Sequence, residues 1–85
     1  MEQFKDVFEF LMFCEKMYGI PGTELIGDTL ENIADWYIIF YTSVHPVLNH
    51  KERIVLKVNA KTMAEKTREL GKRFLKRQME RDVGV

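Results

Sequence analysis

The sequence predicts an α+β domain. It would consist of an N-terminal helix, a short acidic helix or hairpin, a two-stranded antiparallel ribbon at about 35–44 and 53–59, and a long basic C-terminal helix. Three observations lead there. The nine residues Trp36–Val44 carry no formal charge, and all but Ser43 are bulky and strand-prone. Residues Arg53–Asn59 alternate, with Ile54, Leu56 and Val58 at one parity and Arg53, Val55, Lys57 and Asn59 at the other. Apolar residues flanking both runs recur at helical spacing instead.

The first helix is expected over Glu2–Tyr18. Phe4, Val7, Phe8, Leu11, Met12 and Tyr18 form one stripe, which Phe10, Cys14 and Met17 widen. Lys5, Glu9 and Lys16 mark the wet side, where Phe13 also falls. The arc is broader than the roughly 100° of an ordinary surface helix, so this helix should touch more than one neighbour. Gly19 suits a left-handed helix end, and Pro21 blocks continuation. Residues 23–33 fit two patterns. Leu30, Ile33, Ala34 and Tyr37 share a helical face that Asp28 or Thr29 would cap. Alternatively, a Gly27-Asp28 turn joins two short strands.

The run Trp36–Val44 is apolar at both parities, so it should be a strand covered on both faces. Residues 45–52 form a loop containing Pro46 and Asn49, too short for a parallel crossover, which makes the ribbon antiparallel. Asn59 or Thr62 would start the last helix, Thr62 and Glu65 standing at capping-box spacing. Met63, Thr67, Leu70 and Phe74 form its stripe, and Gly71 within it signals close approach to a neighbour. Residues 83–85 read as a frayed tail. At 85 residues, 46% hydrophobic and 31% charged, the chain has room for one domain, 1–85.

Function is bounded mostly by exclusion. One cysteine, Cys14, permits no intrachain disulfide, and Met1–Asp6 lacks a basic, then apolar, leader pattern. A cytoplasmic protein is expected, without a membrane span. His45 and His50 share a loop with no further ligands at zinc spacing, so no metal is expected. Ser43 and His45 lack an acidic third partner, and no glycine-rich phosphate loop exists. The expectation is therefore no enzyme, no cofactor and no small-molecule substrate.

Charge is split along the chain. Residues 1–35 carry two lysines against eight acids, whereas residues 61–82 carry eight bases against four acids. Opposite ends of this kind attract each other, or recruit charged partners. The leading expectation is a small protein-interaction module, an adaptor, inhibitor or assembly factor acting as a homodimer. Its interface would draw on Phe10, Phe13, Met17, Trp36, Tyr37 and Tyr41. The alternative is a nucleic-acid accessory protein whose final helix contacts phosphates through Lys72, Arg73, Lys76, Arg77 and Arg81. By size alone, the chain suits a phage or mobile-element gene.

Overall fold

The computed structural model describes residues 4–83, with side chains through Arg77. Four helices follow in order: α1 (Lys5–Tyr18), α2 (Gly22–Ile26), α3 (Leu30–Val44) and α4 (His50–Val83). No strand occurs among the described residues, so the α+β expectation gives way to an all-helical fold.

Helix α1 begins after Phe4 and stops at Gly19, whose φ of 67° is left-handed. The Gly19 amide donates to the Glu15 carbonyl (2.9 Å) and the Ile20 amide to that of Cys14 (3.3 Å), so the last turn is closed. Pro21, extended at ψ 141°, opens α2, and the Leu25 amide bonds back to its carbonyl. A short helix thus forms at Gly22–Ile26, the helix expected after Asp28 or Thr29 is the beginning of the longer α3, and the hairpin reading of 23–33 is not what forms. Instead Thr29 caps α3. Its Oγ1 accepts from the Asn32 amide (3.1 Å), while Asp28 accepts from the Thr29 amide (2.8 Å) and the Asn32 side chain (2.9 Å).

The expected first strand, 35–44, lies within α3. An uncharged run is as compatible with a helix enclosed by neighbours as with a central strand. Here α1 supplies one neighbour and α4 another, so the tertiary packing of the half-buried Trp36, Tyr37, Ile38 and Phe40 overrides the β-propensity of the run, although Ile39 stays exposed.

The expected return strand, 53–59, is the start of α4. Its alternation does not describe burial: Leu56 is buried, but Ile54 and Val58 are 52% and 62% exposed. What Leu56 obeys is a heptad seam. Leu56, Ala60, Met63, Thr67 and Leu70 are buried at spacings of four and three, and Phe74 continues the register. The helix starts on Asn49 rather than Asn59 or Thr62. Asn49 Oδ1 accepts from the Glu52 amide (2.8 Å), and Glu52 Oε1 accepts from the Asn49 amide (3.4 Å). Helix α4 then continues as far as Val83; Gly84 and Val85, the rest of the expected frayed tail, lie outside the described residues.

Residues 45–49 reverse the chain, so α3 and α4 run antiparallel. Consistently, Arg68 of α4 donates to the Asp28 carbonyl (3.0 Å) beside the start of α3. At about 1.5 Å per residue, the 34 residues of α4 span about 51 Å, which matches the 53 Å long axis of the molecule. The other extents are 24 Å, so α4 is the spine and everything else is shorter.

The core sits toward one side of that spine. Phe4, Val7, Phe10, Leu11 and Cys14 of α1 meet Leu25 of α2, Ile33 of α3, and Met63, Ala64 and Leu70 of α4. Thr67 is the buried polar residue, and its hydroxyl donates to the Met63 carbonyl at 2.7 Å. Gly71 lies where a Cβ would overlap Cγ2 of Ile26, which explains the glycine.

Candidate functional site

The aromatic residues expected at an interface are brought together, largely inside the chain. Phe10 is fully buried, with its ring edge-on to Tyr37 (5.5 Å between centroids, 82°) and tilted on Phe40 (5.9 Å). Phe13, which the helical pattern leaves on the wet side, packs on Phe40 (5.0 Å) and Tyr18 (6.1 Å). Trp36 stacks on Tyr18 (5.2 Å), and Tyr41 continues the seam from Tyr37 (6.2 Å) toward His45 (4.6 Å). Offset and edge-on rings at these separations contribute about 0.5–1.5 kcal/mol per pair beyond area burial. Trp36, Tyr37 and Tyr41 keep partial exposure, and Met17, 59% exposed, stands clear of the seam.

Burial also sets the chemistry of α1. It pushes the Cys14 thiol up to about 11, so the sulfur stays protonated and unreactive at neutral pH. The Tyr37 hydroxyl is raised as well, first by burial and then by the nearby Tyr41 and Asp6. Asp28 is held below the usual carboxylate range by its bonds from the Asn32 side chain and the Thr29 amide.

On the C-terminal side, every residue from Lys72 to Arg77 is exposed, including Phe74 and Leu75. Helix α4 therefore runs on past the elements that cover it. Lys72, Lys76 and Arg77 point to solvent, whereas Arg73 is engaged. Its guanidinium lies 5.0 Å over the Phe4 ring and 3.5 Å from Glu69. The Arg81 side chain lies outside the described residues. Arg73–Glu69 is the ion pair found among the described residues. Among the described residues, no acid of α1 or α2 lies within 4.0 Å of a base of α4.

At the opposite end, the α3–α4 hairpin extends beyond α1 and α2. Its tip exposes Val44, Val47 (88%), Ile54, Val55 and Val58. Between the two helices lies an open cleft of about 400 Å³, walled by Ile38, Pro46, Leu48, Ile54 and Leu56. Arg53, Lys57 and His50 stand at it, and Thr42 of α3 faces them. Neither α1 nor α2 contributes a residue to it.

Compared with protein-family models, with curated proteins and with solved structures, the chain matches none. The reading of function therefore rests on the surface itself. Among the described residues no cluster of three metal-ligating side chains occurs, and no helix is long and apolar enough to cross a membrane.

The cleft and the tip were not legible as a site once residues 53–59 were read as a strand. A signal was present all the same. Extending the Met63–Thr67–Leu70–Phe74 stripe backward by the same four-three spacing places Ala60 and Leu56 inside. It leaves Ile54, Val55 and Val58 without cover.

Proposed function

We propose that this chain is a protein-interaction module, acting by contact rather than by catalysis, and that it works as a homodimer in the cytoplasm. The observation that carries the reading is the uncovered tip of the α3–α4 hairpin. Val47, Val55 and Val58 are all more than half exposed there, in a chain whose other half is densely packed. Large apolar side chains left exposed together at one end of a molecule are the kind of surface that marks protein-contact sites. Two tips packed antiparallel about a twofold axis would bury these valines against each other, in the manner of helical hairpins that pair into four-helix bundles. A lone, unreactive thiol suits a reducing compartment.

Sedimentation equilibrium tests the assembly. The intact chain is expected to dimerise, and Val55→Asp combined with Val58→Asp should weaken the dimer at least about tenfold, roughly 1.4 kcal/mol. A monomer at every concentration would remove the homodimer. The substituted residues are exposed, so helix content should not change.

A further inference from the structure

We propose that the cleft between α3 and α4 is a docking groove for an acidic amphipathic helix of a partner protein, a proposal that rests on the interaction-module reading above. The first argument is architectural. Along the proximal half of the hairpin, α1 lies across α3 and α4 as a third helix and buries their apolar faces. Along the distal half that third position is vacant. Ile38 and Leu48 are half-buried and Ile54 is exposed around the cleft, with only Leu56 covered from below. A helix of about three turns, roughly 16 Å, would complete there the three-helix packing that the chain already builds at its other end.

Charge decides what kind of helix. The cleft carries Arg53 and Lys57 with His50, and no carboxylate lines it. Glu52, the nearest acid in sequence, is turned to the helix start, where its carboxylate accepts from the Asn49 amide. Neither Arg53 nor Lys57 has a carboxylate within 4.0 Å among the described residues. The Arg53 Nε approaches the Leu48 carbonyl beside the groove at 3.5 Å, a weak contact. An incoming helix with leucine-like residues on one face and glutamates on its flank would meet apolar walls below and two cations at the rim. Such complementarity gives orientation and association rate more than raw affinity. A nucleic acid suits the cleft poorly: no Phe, Tyr or Trp lines it to stack a base.

The dimer patch proposed above, Val47, Val55 and Val58, borders the cleft without lining it, and Ile38 and Thr42 on the α3 wall are the residues that separate the two surfaces. The probe is a synthetic 15-residue helical peptide with leucines at i, i+3, i+4 and i+7 and flanking glutamates. Its control replaces each glutamate with lysine. Titration into the full ¹⁵N-labelled chain should shift the amides of Ile38, Thr42, Ile54 and Lys57. Affinity for the acidic peptide should exceed that for the basic control at least about tenfold and fall as salt rises. Lys57→Glu, which sets a carboxylate beside Arg53, should remove that preference; the salt dependence needs no variant. Equal binding of both peptides, shifts confined to other surfaces, or no binding would overturn the proposal. If the acidic peptide fails while the chain still dimerises through Val55 and Val58, the groove is lost and the module reading stands. Shifts at Ile38 and Thr42, on the α3 wall of the cleft, on self-association alone would make a second copy the occupant and likewise overturn a hetero-partner helix.

Discussion

Gly71 shows how one atom decides between two opposing effects. A glycine inside a helix costs about 1 kcal/mol relative to alanine. On propensity alone, Gly71→Ala would therefore stabilise α4. The new Cβ, however, would overlap Cγ2 of Ile26. That methyl sits on a β-branched carbon one bond from the backbone, so a change of rotamer is a poor escape. The backbone of α2 is held in turn by fully buried Leu25 next to it. Overpacking of this kind costs about 1–3 kcal/mol, which outweighs the gain in propensity. Gly71→Ala should lower the stability measured in urea by about 1–2 kcal/mol. Added to Ile26→Ala it should instead cost nothing or stabilise, a non-additivity expected only of touching residues. A plain stabilisation by Gly71→Ala in the parent chain would mean that α2 shifts freely and that its packing on α4 is loose.

At the scale of elements, the helix caps carry the information that the strand-like runs conceal. Helix α4 begins at Asn49, whose side chain and that of Glu52 satisfy each other's amides. Without that box, the β-branched Ile54, Val55 and Val58 weaken the helical preference that Lys51, Glu52, Arg53, Leu56 and Lys57 supply. Asn49→Ala should cost about 1 kcal/mol in thermal or chemical unfolding. The amides of Glu52 and Arg53 should exchange faster with solvent, while those near Leu70 should not. Equal protection in variant and parent would show that tertiary contact alone fixes the start of the helix. The first helix was legible from its helical apolar spacing and from Gly19-Ile20-Pro21, which closes it, but the centre of its buried face was not. Phe10 and Cys14, read as the flank, are fully buried, whereas Phe8, Met12 and Tyr18, read on the stripe, are exposed. Helices α3 and the start of α4 were not legible, for a physical reason. Both contain clusters of β-branched residues, joined in α3 by aromatic ones, whose local preference is the pleated strand. Only contact with α1 across the aromatic seam, and with each other along the Leu56–Leu70 heptad, makes them helical. A face shared by Leu30, Ile33, Ala34 and Tyr37 was visible in the sequence, and carried through to Tyr41 it spans the whole of α3. The interface residues fared similarly. Phe10 was expected at an interface with a second molecule; it is fully buried and instead packs α1 on Tyr37 and Phe40 within the chain.

The whole molecule is a rod with its core toward one side and its open surface at the hairpin tip. Fully buried residues concentrate where α1 and α2 lie over α4: Val7, Phe10, Cys14, Leu25, Ile33, Thr67 and Leu70. Beyond Tyr41 on α3 and before Leu56 on α4, no residue is buried. Local opening free energies follow such contact density, approaching the global value in the core and falling toward zero where apolar contacts are few. Hydrogen exchange of the isolated monomer should therefore show a gradient along α4. Protection should be greatest from Met63 to Leu70, intermediate near Ala60, and least from Lys51 to Val55 despite continuous helical hydrogen bonding. Helix α3 should show the same gradient in reverse, with Tyr37 slow and Ser43 and Val44 fast. A surface built for contact has a further consequence. Dimerisation through Val55 and Val58, or occupation of the cleft, should raise protection at the tip while leaving the Met63–Leu70 region nearly unchanged, because binding stabilises only the openings it suppresses. Uniform protection along α4 in the monomer would mean that the hairpin is stable without cover, and the tip would then lose its energetic reason to recruit a partner.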